Sequence, residues 1–95
     1  MNHYLVTLAP ADNPSLLDDL AAILSESFDF WAAERDDGLF FISSEDTSEQ
    51  IFETLGSALE LNLPNTLYVF QLSGTWAGFG TTNVRDALSE RLKDR

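Results

Sequence analysis

The spacing of apolar residues changes several times along this chain, and each change marks a predicted element. Alternating or continuous apolar runs predict strands at 3–8, 28–34, 39–44 and 67–72. Apolar residues three and four positions apart predict helices over about 14–27, over the segment that follows 46 and over the segment that follows 81. The resulting order of elements is β-α-β-β-α-β-α.

Local signals indicate where these elements begin. Asn13 is expected to cap the first helix, with Pro14 in the first helical position, where a missing N–H costs nothing. A hairpin turn is predicted at 36–38, because its glycine can take a positive φ. Asp46 and Thr47 are each followed three residues later by a Glu or a Gln, so either can open a capping box at the second helix.

The same spacing predicts which residues are buried. The apolar stripe of the second helix should face a sheet, and its members are Ile51, Phe52, Leu55, Ala58 and Leu59. Gly56 lies inside this helix, where glycine costs roughly 1 kcal/mol relative to alanine, so we expect it to pack closely on a strand. The strand at 39–44 begins apolar on both faces, which favours a central position in the sheet.

The order of elements predicts the fold. Right-handed βαβ connections arrange it as two overlapping split units. We therefore predict an α+β, ferredoxin-like fold with an antiparallel four-stranded sheet in the order 4-1-3-2 and an additional C-terminal helix. The 95 residues form a single domain, with a ferredoxin-like core over 1–72 and a tail over 73–95. The strand at 67–72 is then an edge strand that needs cover from the tail or from a second copy.

A loop rich in glycine and aromatic residues follows this edge strand. Its glycines at 74, 78 and 80 match no phosphate-binding spacing, and no Lys lies nearby, so a nucleotide site is disfavoured. We expect Trp76 and Phe79 to be self-association residues that bury against the sheet or against a second copy. A two-fold homodimer is the expected assembly, since two-fold symmetry is the commonest closed form.

Charge is the strongest compositional signal. The formal net charge is −11, and residues 1–80 hold 13 acidic residues against a single basic residue, Arg35. Binding to nucleic acid draws on Lys and Arg at phosphates, so direct nucleic-acid binding is disfavoured. The absence of Cys excludes disulfides and zinc–thiolate sites. No apolar run is long enough to span a membrane and no signal peptide is recognisable, so we expect a cytoplasmic protein.

The acidic residues have two interpretations. One is that they keep a small protein soluble and monomeric. The other is that they form a surface that binds a basic protein partner. The residues expected at that surface are Asp18, Asp19, Glu26, Asp36, Asp37, Glu45, Asp46, Glu49 and Glu53.

No catalytic, metal or cofactor site is predicted. Neighbouring acids can hold Mg²⁺ or Ca²⁺, but helix-face, turn and capping roles explain the pairs in this chain. His3 is the single histidine, lies at the start of a strand and is expected to be an ordinary surface or edge residue. No particular Ser or Thr is marked as a nucleophile.

Some features resemble a known family. The segment FFISSEDTSEQI, as third strand and second helix, and NTLYVFQLSGTWAGFG, as fourth strand and aromatic exit, are similar in pattern to small CRISPR-associated ferredoxin-fold proteins of the Cas-two type. In nuclease-like members of that family an Asp that ends the first strand is assigned to metal binding. The corresponding residues here are Val6, Thr7 and Leu8, and the nearest acid is Asp12.

Two classes of function follow. The first is a non-catalytic acidic interaction module, which in its extreme form mimics nucleic acid and inhibits a nucleic-acid-binding enzyme, as phage anti-CRISPR and anti-restriction proteins do. The second, implied by the resemblance, is a metal-dependent nuclease or its degenerate relative. Since the first-strand acid is missing, we favour the first class.

Overall fold

A computed structural model describes residues 1–73 and 82–92 of the chain. Its elements are β1 (Asn2–Ala9), α1 (Pro14–Ser27), β2 (Asp29–Glu34), β3 (Leu39–Ser44), α2 (Ser48–Ala58), β4 (Thr66–Leu72) and α3 (Thr82–Arg91), with a 3-10 turn at Arg35–Asp37. All three strand pairs of the four-stranded sheet are antiparallel. The predicted α+β, ferredoxin-like fold with an extra C-terminal helix is therefore confirmed.

Side-chain caps explain where the first two helices begin. The Asn13 side chain accepts a hydrogen bond from the Leu16 N–H at 3.2 Å, as predicted. At α2 the capping residue is Thr47: its hydroxyl accepts from the Gln50 N–H, and the Gln50 side chain accepts from the Thr47 N–H. Of the two candidates for this cap, the structure thus selects Thr47 over Asp46.

The strand order is β2-β3-β1-β4. This is the predicted order 4-1-3-2, read from the other edge of the sheet. Alternate residues of β1, namely Tyr4, Val6 and Leu8, are buried because they point towards α1 and α2. The other core residues are Leu17, Leu20, Leu24, Phe40, Ile42, Ile51, Leu55, Leu59 and Leu67. We call this side of the sheet the helix-covered face and the other side the opposite face.

Two predictions about α2 are wrong: the width of its buried stripe and the close packing of Gly56 on a strand. Phe52 is 47% exposed and Ala58 is exposed, because the stripe that reaches the sheet is narrow and consists of Ile51, Leu55 and Leu59, each four residues from the next. Gly56 is also on the solvent side, and a Cβ atom added there would meet nothing within 4 Å. Close packing therefore does not explain this glycine.

The turn between β2 and β3 lies close against the end of β1. Gly38 has the positive φ predicted for it, 70°, and its carbonyl accepts a hydrogen bond from the Leu8 N–H at 2.8 Å. A Cβ atom added at Gly38 would overlap the carbonyl oxygen of Leu8. The glycine is thus required both by the backbone angle and by the close approach of β1.

The positions of the strands also agree with the sequence. The β3 strand is internal, with Phe40 to Ser44 buried, and β4 is at an edge, next to β1 alone among the described strands. Within residues 1–73 and 82–92, no helix has the length and apolar character needed to cross a membrane.

Candidate functional site

The predicted partner-binding acids lie on exposed parts of the molecule. Because α1 and α2 cover the same face of the sheet, their outer surfaces both point away from that face. All seven acids predicted on or just before these helices are exposed: Asp18, Asp19, Glu26, Glu45, Asp46, Glu49 and Glu53. We call this set the acidic helix side.

Few cations compensate the acidic helix side. In the described residues, the Arg35 guanidinium pairs with Asp18, and the N-terminal amine lies 3.6 Å from Glu45. Both are exposed pairs, which contribute little to stability. The remaining acids of the set form no ion pair with a described cation, so this side carries a net negative charge.

Asp36 and Asp37 are also exposed, in the 3-10 turn between β2 and β3. The neighbouring Arg35 connects this turn to the start of α1, because its guanidinium donates to the Pro14 carbonyl at 3.2 Å as well as pairing with Asp18. The turn is thus held next to the beginning of α1 and extends the acidic surface at that end.

These acids are spread over the surface and do not converge on one point. Among the described residues, no group of three or more His, Asp or Glu side chains could hold a metal ion. The backbone N–H of Asp46 donates to the Ser44 hydroxyl at 2.9 Å, and its carbonyl accepts from the Tyr4 hydroxyl. Asp46 thus helps to join β3 to α2 through its main chain, while its side chain remains exposed.

The opposite face holds a polar cluster that sequence reasoning missed. The Ser43 hydroxyl accepts a hydrogen bond from Trp31 Nε1 at 2.9 Å and lies 2.6 Å from His3 Nδ1. His3, expected as an ordinary surface or edge residue, is half-buried and packs edge-on against the Trp31 ring. The three residues join β1, β2 and β3 on this face.

A Ser hydroxyl beside a His nitrogen is also the arrangement of an activated nucleophile. The position of Ser43 argues against that role, since the residue is only 1% exposed and a substrate could not reach its oxygen. Its hydrogen bonds instead satisfy polar groups that would be costly to bury alone. We interpret the cluster as a structural contact between three strands.

The last helix lies over the same part of the opposite face. The Arg91 guanidinium donates to the Asp29 carboxylate at 2.8 Å and lies 5.2 Å from the centre of the Trp31 ring. Val84 and Leu92, at the two ends of this segment, are buried. Among the described residues, α3 packs on β2, so the β4 end of the opposite face is the more open region.

That open region is aromatic. Tyr68 is 56% exposed and Phe70 is 51% exposed, and their rings stack at 6.0 Å between centres. On the other side of β4 an open cleft of about 460 Å³ separates the strand from α2, and its lining includes Glu49, Phe52 and Glu53. Exposed apolar surface therefore flanks β4 on both sides.

The predicted self-association residues, Trp76 and Phe79, lie outside the described residues, so that assignment stays a prediction.

In comparisons with known proteins, no family model matches the chain, and no curated protein or solved structure matches it.

Proposed function

We propose that this protein is a non-catalytic interaction module whose acidic helix side binds a basic protein. The observation that carries the proposal is the exposure of acids on both α1 and α2, on one side of the sheet and with few paired cations. Such a surface attracts a basic partner at long range and raises its rate of association. The location we expect for this activity is the cytoplasm.

In its most specific form, the partner is a nucleic-acid-binding enzyme and the acidic surface occupies the groove meant for nucleic acid. An anti-CRISPR or anti-restriction inhibitor would act in this way. The charge of the chain supports this form, because 13 acidic residues stand against one basic residue over 1–80. It predicts that DNA or RNA competes with this protein for the partner.

Charge reversal tests the proposal. The wild-type protein, coupled to a resin, should retain basic proteins from a host lysate, release them in a salt gradient and lose them to added DNA or RNA. Asp18→Lys with Asp19→Lys should abolish retention, because the reversal removes the attraction. The matched control is Asp86→Lys with Glu90→Lys, which changes the net charge equally on exposed positions of α3 and should leave retention intact.

A separate reversal of Asp36 and Asp37 measures the contribution of the turn. The proposal is wrong if nothing binds the wild type in a salt-sensitive way, or if both double reversals reduce retention equally. If nothing binds, the acids serve only to keep the chain in solution, and if both reversals act equally, net charge and not the acidic helix side governs retention.

The nuclease alternative has its own test. We expect no cleavage when the protein is incubated with labelled single- and double-stranded DNA and RNA in Mg²⁺ or Mn²⁺, because β1 ends without an acid. Metal-dependent cleavage that disappears in Asp12→Ala would establish the nuclease class instead.

A further inference from the structure

We infer that the outer edge of β4 binds an extended, basic segment of a partner protein, which joins the sheet as an additional strand. The inference rests on the proposed function, since the extended segment belongs to the basic partner that is proposed there. Three features of the described residues support it: the direction of the free backbone groups, the apolar surface on both sides of β4, and the charge of the cleft beside it.

The pairing pattern shows which backbone groups of β4 point outwards. The Leu8 N–H donates to Gly38 on the β3 side, so even-numbered residues of β1 direct their backbone groups to β3 and odd-numbered residues direct theirs to β4. The odd residues of β1 pair with even residues of β4. The backbone groups of Leu67, Val69 and Gln71 therefore point away from the sheet, and no described strand pairs with them.

An added strand would bury apolar surface on both faces of β4. It would lie about 4.8 Å beyond β4, with alternate side chains pointing to the two sides of the sheet. On the helix-covered face these side chains would meet Phe52, which is 47% exposed, and on the opposite face they would meet Tyr68 and Phe70. Strand addition of this kind takes affinity from backbone pairing and specificity from alternate side chains.

Charge decides the chemistry of the occupant. Glu49 and Glu53 line the cleft between α2 and β4, are exposed and pair with no described cation. A segment that carries Lys or Arg towards α2 is attracted there. A second copy of this chain would bring a net charge of −11 and two further glutamates to the same place, and a nucleic acid would bring phosphates. A basic, partly apolar peptide is therefore the favoured occupant.

The test uses a short peptide of alternating Val and Lys, with blocked ends, and a matched peptide of Val and Glu. Amide hydrogen exchange is followed by NMR. The Val–Lys peptide should slow exchange at Leu67, Val69 and Gln71 by about tenfold or more at saturation, because these N–H groups become hydrogen-bonded. The Val–Glu peptide should have no effect, and added salt should weaken binding of the Val–Lys peptide.

A pair of variants separates backbone pairing from side-chain contact. Gln71→Pro removes one outward N–H without touching the hydrogen bonds between β1 and β4, and proline is tolerated on a strand edge. Gln71→Ala removes the side chain but keeps the N–H. We expect Gln71→Pro to weaken peptide binding by about fivefold or more, and Gln71→Ala by less than about twofold.

Glu49→Gln with Glu53→Gln should weaken binding of the Val–Lys peptide and reduce its salt dependence. An unchanged two-dimensional amide spectrum away from β4 is the check that each variant is folded. The inference is overturned if the Val–Lys peptide does not protect the three amides, if Val–Glu binds equally, or if Gln71→Pro behaves like Gln71→Ala. Protection that grows with protein concentration, without peptide, would assign the edge to a second copy instead.

These outcomes are distinguishable from those of the resin experiment. If the reversal of Asp18 and Asp19 abolishes retention while the β4 amides stay unprotected, the acidic helix side works without strand addition. If the amides are protected by peptide while the reversal of Asp18 and Asp19 leaves retention intact, the edge is the binding site and the proposed helix surface is not.

Discussion

The two faces of the sheet differ in how completely their side chains are buried. On the helix-covered face, apolar residues such as Val6, Phe40 and Leu55 are fully buried. The opposite face is divided: near β2 it holds the Ser43 cluster under α3, and near β4 it exposes Tyr68 and Phe70. One face therefore supplies most of the apolar burial that stabilises the fold, while the other retains surface that is available for contact.

The largest expected loss of stability comes from a residue of the helix-covered face. A residue of the opposite face serves as the comparison. Leu55→Ala should lower the free energy of unfolding by about 2–5 kcal/mol, because it leaves a cavity among fully buried neighbours. Phe70→Thr, which keeps strand propensity, should cost less than about 1 kcal/mol, since the ring is already half exposed. Urea denaturation followed by far-UV circular dichroism measures both. Similar losses would mean that the two faces do not differ in this way.

The next effect concerns the polar part of the opposite face. Ser43→Ala should cost about 1–3 kcal/mol, because Trp31 Nε1 loses its acceptor in a partly buried site. Trp31→Phe with Ser43→Ala removes both partners and should show less than the sum of the single losses. Thermal unfolding of the single and double variants measures the coupling. Additive losses would indicate that the hydrogen bond contributes nothing.

A smaller effect is expected where α3 meets that face. Arg91→Met removes the ion pair with Asp29 and the contact with the Trp31 ring, while keeping much of the apolar stem. Both partners are partly exposed, so the loss should be below about 1 kcal/mol. Asp29→Asn should cost still less, because it leaves the contact with the ring in place. A larger loss in Asp29→Asn than in Arg91→Met would contradict this assignment.

The smallest effect concerns the acidic helix side. Moderate salt should raise the melting temperature slightly, because it screens repulsion among the carboxylates. Asp18→Asn, Asp19→Asn and Glu26→Gln together should reduce this salt dependence. Differential scanning fluorimetry at several salt concentrations measures it. If the salt dependence is the same in the variant, repulsion on this side does not lower stability.

Local patterns predicted much of the fold because caps, turns and strand alternation act between neighbours in sequence. Asn13 and Gly38 are examples, and the edge position of β4 followed from the order of elements that these patterns predicted. The exposure of Phe52 could not be read in the same way, since the width of a buried helix stripe depends on how the helix lies on the sheet. Its neighbours Ile51 and Leu55 reach the core while Phe52 lies beside β4.

The cluster of polar contacts around Ser43 could be predicted only with knowledge of the strand register. His3, Trp31 and Ser43 are far apart in sequence, and their contacts exist because β1 and β3 pair His3 with Ser43. The one available signal was that the alternation of β2 directs Trp31 to the side of the strand away from Phe30, before the β-bulge that shifts the register at Ala32. The exposure of the acids of the acidic helix side, in contrast, was predicted correctly, because an unpaired charge is costly to bury wherever the helix lies.

The outer edge of β4, with which no described strand pairs, also has a consequence for handling the protein. Such a strand edge, flanked by aromatic rings, favours edge-to-edge aggregation, and the net charge of −11 opposes aggregation by keeping molecules apart. Acidification protonates carboxylates and removes that repulsion, while Phe52, Tyr68 and Phe70 remain as they are. Storage at mildly alkaline pH and low salt should therefore keep the chain monodisperse, and acidic buffers should promote fibrous or amorphous precipitates.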